Sequence, residues 1–269
     1  MNDELISVIT VAKNAEKTIR ATIDSVLSQT YRNIEYICIV GECNDKTNII
    51  IDEYKRQFDL KGVRLKHVSG PDSGIYDAMN KGSELASGQW LYFLNADDRL
   101  CDGVVFQRIF AEKHIYDETD CVYGNIILCS DGKKVIRKGA PVSAIYYKFP
   151  ICHQAAFVRK SIIKKYGFNE EYKRLADFDQ FFRMYLDNRI FKYVDVDVAY
   201  FSTDGVSQKN NIALAIEREK IHKKLGISRK KRIRRWVRYF FICVIKDNRL
   251  FYKCFFGINY WIQKIKNIH

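Results

Sequence analysis

Within about the first 95 residues, short apolar runs alternate with polar turns and stretches of helical spacing, and this alternation constrains the fold most. Residues 5–12 (LISVITVA) are β-branched and apolar and read as a buried strand. The next stretch places Ile19, Ile23, Val26 and Leu27 at helical spacing. A second buried strand is predicted at about 35–40, a helix opening near Thr47, and a third, alternating strand at 63–69 (VRLKHVS). Residues 76–85 read as a helix interrupted only by Gly82, and 89–95 (QWLYFLN) as a fourth strand. The order β-α-β-α-β-α-β argues for an α/β fold with a parallel sheet and helices on both faces. Ligands bind such sheets beyond the carboxyl ends of the strands. The loops TVAKN, GECNDKT, GPDSG and NADD are therefore expected to meet in one place.

The second half is less regular. Residues 121–128 and 133–139 read as a hairpin around SDG, and 149–167 as a strand followed by a helix from near Ser161. Residues 174–188 form a helix pattern with Phe178, Phe181, Phe182 and Tyr185 on its apolar stripe, and 191–202 an alternating strand. From Ile212 onward the pattern is helical and increasingly basic, with SRKKRIRRWVRYFF at its peak. The net charge of +13 is thus concentrated in a tail, which points to a surface contact rather than to nucleic acid.

The eight cysteines include no CxxC pair, and several sit in apolar runs, as expected for reduced thiols of a cytosolic protein. The first residues lack the basic and long apolar regions of a signal peptide. No run reaches the roughly 18 apolar residues of a spanning helix.

Four groups carry candidate chemistry. Asp97 and Asp98 stand side by side at a strand end, where Mg²⁺ or Mn²⁺ would relieve their repulsion; a helix cap beside a solvated acid is the plainer alternative. Asp177 and Asp179 lie two apart on a helix and do not share a face, so one can serve as a general base while the other pairs with Arg183. Spacing alone favours a helix start stabilised by acids. His153 suits a metal ligand, a substrate contact or a polar strand residue, and the structural role is the commoner one for a lone histidine. Gly74 suits a turn of positive φ. Neither a Walker loop nor a GxGxxG turn is present, which counts against a P-loop enzyme or a dehydrogenase.

Taken in order, ISVITVAKN, TIDSVLSQTYRNIEYI, PDSGIYDAMNKGSELASGQWLYFLNADD, HQAAFVRK and LADFDQFFR resemble the family 2 glycosyltransferases over roughly residues 5–210. The GIYDAMNKG wording resembles the branch that builds bacterial surface polysaccharides. The resemblance implies a GT-A fold: a Rossmann-like nucleotide-binding sheet merged with a smaller acceptor-side sheet, plus a helical basic C-terminal tail. Its implied division is a catalytic domain at 1–210, with a donor half at 1–98 and an acceptor half at 99–210, and a tail at 211–269.

The resemblance further implies a nucleotide-sugar donor, a UDP-sugar first among candidates, and a divalent metal (Mn²⁺ or Mg²⁺) on Asp97 and Asp98. The implied donor contacts are Thr10, Val11, Asn14, Asp45, Asp72, Gly74, Asn95 and His153. Asp77 and Asn80 are grouped with them as residues that hold the loop. Asp177 matches the family base, with Asp179 as the nearby alternative, and inversion at the anomeric carbon follows. The acceptor is expected to be a saccharide on a lipid carrier. The enzyme would then lie peripherally on the inner face of the cytoplasmic membrane through residues 229–265, with a packed helix or a homodimer contact as the alternative. Two positions depart from the family: Val40 stands where an Asp contacts the nucleotide base, and Asn95 replaces the first Asp of DxD. These departures motivate a competing expectation, a catalytically silent nucleotide-sugar-binding protein.

Overall fold

The computed structural model describes residues 4–110, 117–130, 133–202 and 211–246. The tip of the expected hairpin (131–132) and the end of the basic tail (247–265) lie outside these residues. Contacts divide the chain into two compact units, one through Arg218 and one from Glu219.

The first unit begins with the expected alternation: β1 (Ile6–Ala12), α1 (Ile19–Leu27), β2 (Ile34–Val40), α2 (Thr47–Glu53), α3 (Lys55–Leu60), β3 (Arg64–Ser69), α4 (Ile75–Leu85) and β4 (Trp90–Phe93). The one long helix expected after Thr47 is divided at Tyr54, whose hydroxyl donates to Asp24 of α1 (2.8 Å). Every residue of β1, β2 and β4 is buried, as strands covered on both faces should be. The chain continues through β5 (Arg99–Leu100), α5 (Val105–Phe110), β6 (Cys121–Ser130), β7 (Lys133–Arg137), β8 (Ala156–Arg159), α6 (Lys160–Tyr166), α7 (Ala176–Leu186) and β9 (Phe191–Ser202). Two helices follow, α8 (Asn211–Lys224) and α9 (Arg229–Lys246).

The strands form one sheet in the order β3-β2-β1-β4-β8-β6-β9-β5, with β7 on β6. β3, β2, β1 and β4 are parallel; β8 joins β4 antiparallel and carries the sheet into the second half. This is the mixed α/β architecture, with a second portion merged onto the parallel sheet, that the resemblance implied. Gly82 explains its own presence inside α4. A side chain there would approach Ile9 Cγ2 at 2.5 Å, so the glycine lets the helix lie close on β1. At the amino ends of the strands, buried Glu35 ties several elements together. It accepts from Ser7 Oγ (2.6 Å) and Ser87 Oγ (2.8 Å) and pairs with Lys66 (3.0 Å).

Candidate active site

Beyond the carboxyl ends of β1 and β4 the first unit opens into a cavity of about 580 Å³. Its wall comes from the loop after β1, the start of α4, the loop after β4, the turn before β8 and the start of α7. Of the residues expected at the ligand, Val11, Asn14, Asn95, Asp97, His153 and Asp177 line this cavity together.

The loop before α4 is built for its shape. Gly74 has φ +139°, a conformation that a side chain rarely tolerates. Its N–H donates to Asp72 Oδ1 (3.0 Å), while Asp77 Oδ2 accepts from Ser73 N (2.8 Å) and Lys81 Nζ (2.9 Å). The Asp72 carboxylate lies against Gly41, where a Cβ would stand 2.2 Å from Oδ2. Gly74 and Asp77 line a smaller hollow that shares Ile75, Tyr76 and Lys173 with the main cavity.

The two adjacent aspartates part company. Asp97 is exposed in the cavity, yet the surrounding walls reduce its hydration and push its carboxyl above the usual range. Asp98 turns inward and is 1% exposed. It accepts from Gln154 Nε2 (3.0 Å) and Ser202 N (3.2 Å). Burial first, and the charge of Asp97 second, push it up to about 7 against those hydrogen bonds. The two carboxyls thus point apart, Asp97 to the cavity and Asp98 inward to Gln154 and Ser202.

Asp177 is held at both oxygens. Tyr76 Oη donates to Oδ1 (3.3 Å), and His153 Nδ1 lies 3.0 Å from Oδ2. The other ring nitrogen of His153 is 3.4 Å from Asn95 Nδ2, so one chain of contacts links the loop after β4 to α7. Burial, and then the charge of Asp177, keep the Tyr76 phenol well above its ordinary range, so it remains a donor.

Other expected contacts are engaged inside the protein. Thr10 is buried in the sheet and accepts from Tyr36 Oη (3.0 Å). Asp45 accepts from Thr47 N (3.0 Å), Thr47 Oγ1 (2.6 Å) and Glu16 N (3.0 Å), closing the loop after β2 on the loop after β1. Asn80 joins α4 to the segment after α6 by bonds to Phe168 O (2.9 Å) and Glu170 Oε1 (3.0 Å). Asp179 is 2% exposed and pairs with Arg183 (2.7 Å), away from the cavity. Val40 is fully buried. Tyr76, Lys173 and Arg174 line the cavity but were not among the expected residues. Tyr76 stood inside the recognised GIYDAMNKG, but nothing local marks it as a partner of a residue 101 positions away.

Residues 7–190 match the sequence model of glycosyl transferase family 2. The chain belongs to this family. Among curated relatives it is 32% identical over 205 residues to a PGL/p-HBAD biosynthesis glycosyltransferase of Mycobacterium bovis, covering 75% of this chain and 78% of that one. It is 30% identical over 149 residues to the Escherichia coli UDP-Glc:alpha-D-GlcNAc-diphosphoundecaprenol beta-1,3-glucosyltransferase WfgD, covering 55% and 56%. The fold is shared with residues 1–349 of S. aureus TarS in complex with UDP-GlcNAc, with TM-score 0.64, 18% identity and coverage of 86% of this chain and 69% of that one. Against the full TarS chain the match spans 41% of its length. In this family-2 chain, then, the cavity lies beyond the carboxyl ends of β1 and β4, where the parallel part of the sheet gives way to antiparallel β8.

Proposed function

We propose that the chain transfers a sugar, with inversion, from a UDP-sugar to a hydroxyl of a saccharide carried on a lipid diphosphate, in the building of a bacterial surface polysaccharide. The observation that carries this reading is the meeting of Asp97 and Asp177 in one cavity at the carboxyl ends of β1 and β4. The UDP-GlcNAc complex of the shared fold supports the donor class, and the GlcNAc-diphosphoundecaprenol acceptor of WfgD supports the acceptor class.

Among the described residues no cluster of three or more His, Cys, Asp or Glu forms a self-contained metal site. A single carboxylate that shares Mg²⁺ or Mn²⁺ with substrate phosphates needs no such cluster. Asp97 is open to the cavity, and the buried amide oxygen of Asn95 has no hydrogen-bond partner. Two hard oxygen donors therefore fit a divalent cation, with Asp98 supporting the loop through Gln154 and Ser202. When bound, the cation would offset the charge that develops on the departing diphosphate.

Asp177 takes the proton of the acceptor hydroxyl. The freed oxygen forms a bond to the anomeric carbon as the bond from that carbon to the diphosphate breaks, and the nucleotide leaves with the electron pair. Tyr76 and His153 orient the Asp177 carboxylate for this step. Titration calorimetry with UDP and Mn²⁺ tests the donor half. Wild type binds UDP more tightly with the metal, and Asp97→Asn loses at least about tenfold of that gain. An unchanged metal dependence would remove Asp97 from the role.

The tail belongs to the same proposal. No described helix is long and apolar enough to cross a membrane. In α9, Ile233, Trp236 and Val237 are exposed among cations, a composition suited to anionic headgroups. We therefore place the enzyme peripherally at the membrane that carries its acceptor.

A further inference from the structure

Lys173 and Arg174 form a turn on the wall of the cavity, just before α7 and close in sequence to Asp177. Neither cationic group makes an ion pair with a described residue. The Arg174 Nε is buried without a hydrogen-bond partner, and such an unsatisfied donor is costly. The turn is nevertheless held firmly. Glu217 of α8 accepts from both backbone amides, Lys173 N and Arg174 N. Arg218, the next residue of α8, donates to the carbonyls of Ile145 (3.0 Å) and Lys148 (3.2 Å). The neighbouring acid Glu170 is engaged with Ser73 and Asn80. The fold thus fixes the backbone of two cations at a cavity and gives their heads no ion-pair partner among the described residues.

We propose that Lys173 and Arg174 are an anion subsite for the diphosphate that links the acceptor saccharide to its lipid. The inference rests on the transferase reading and deepens it. The donor side of the cavity is built by the loop after β1, which has its own cation in Lys13, and by Asn95 and Asp97. The Lys173–Arg174 turn instead leads into Asp177, which must meet the acceptor hydroxyl. A saccharide whose hydroxyl reaches Asp177 carries its linking diphosphate along that same wall. A guanidinium fork beside an ammonium suits such a group, since arginine binds phosphate oxygens in pairs.

The test uses the full chain saturated with UDP and Mn²⁺, and geranyl diphosphate as the probe, with geraniol as the phosphate-free control. Wild type binds geranyl diphosphate at least about tenfold more tightly than geraniol. The double variant Lys173→Gln/Arg174→Gln loses most of that preference while its UDP affinity stays within about twofold. Arg174→Lys, which keeps the charge, retains a measurable preference and guards against a folding artefact. Equal binding of geranyl diphosphate by wild type and the double variant overturns the subsite. A fall in UDP affinity by the same factor also overturns it, because the pair would then serve the donor diphosphate. Wild type that binds UDP but not geranyl diphosphate sinks the subsite alone. Wild type that binds no UDP sinks the transferase reading and the subsite with it.

Discussion

Asp177 differs from the other acids of the site in having each carboxylate oxygen held by a separate side chain, from α4 and from the turn before β8. At 3.3 Å the Tyr76 bond is long, so it falls at the weak end, about 1.5 kcal/mol, of hydrogen bonds to a carboxylate. Tyr76→Phe removes it without changing the ring that stacks on Phe168. It is expected to lower kcat about tenfold while leaving the donor KM unchanged. Steady-state kinetics checks this, and an unchanged kcat would show that the Tyr76 hydroxyl does not orient the base. The single-residue readings that were legible in sequence were those whose chemistry is local. Asp97 at a strand end and Gly74 in a turn are of that kind. Asp98 was not, because its inward turn depends on Gln154 and Ser202, which the chain brings from far away.

At the scale of elements, periodicity revealed β1 to β4 and the helices between them because each buries a face through a local pattern. The division between α2 and α3 escaped it; Tyr54, at the break, bonds Asp24 on another helix. The parallel pairing of β6 with β9 escaped it as well, with a bulge between Tyr123 and Ile126 that no local pattern announces. Glu35 shows how the elements are joined. Burial opposes its charge, but Ser7, Ser87 and Lys66 outweigh burial and hold its carboxyl at about 2. A depressed carboxyl stabilises the fold above its unfolded value near 4.5 and loses that contribution as pH falls towards 2. The loss is about 3 kcal/mol. Chemical denaturation of wild type and Glu35→Gln should show a stability gap at about pH 6 that narrows by most of that amount, about 2.5 kcal/mol, near pH 2.5. A gap independent of pH would contradict the assignment.

For the whole molecule, the charge map separates a transferase core from a basic tail. Most of the +13 net charge is a property of the tail, which is why bulk charge alone misleads about partners. Truncation before Arg229 is expected to abolish flotation with vesicles that contain anionic lipid and to leave UDP binding unchanged. Flotation that survives truncation would place the membrane contact elsewhere. The sequence order of motifs was sufficient for the family because family membership is written along the chain. The cavity wall of Tyr76, Lys173 and Arg174 was not legible, because it exists only where α4 meets the segment before α7, which Glu217 holds from far along the chain.

In the proposed mechanism Asp177 is the base of an inverting transfer. The most direct measurement compares Asp177→Asn with wild type for transfer to acceptor and for binding of the same UDP-sugar with Mn²⁺. Loss of transfer by about 10²–10⁴-fold, with donor affinity preserved, is the predicted result. Near wild-type turnover by Asp177→Asn would contradict it.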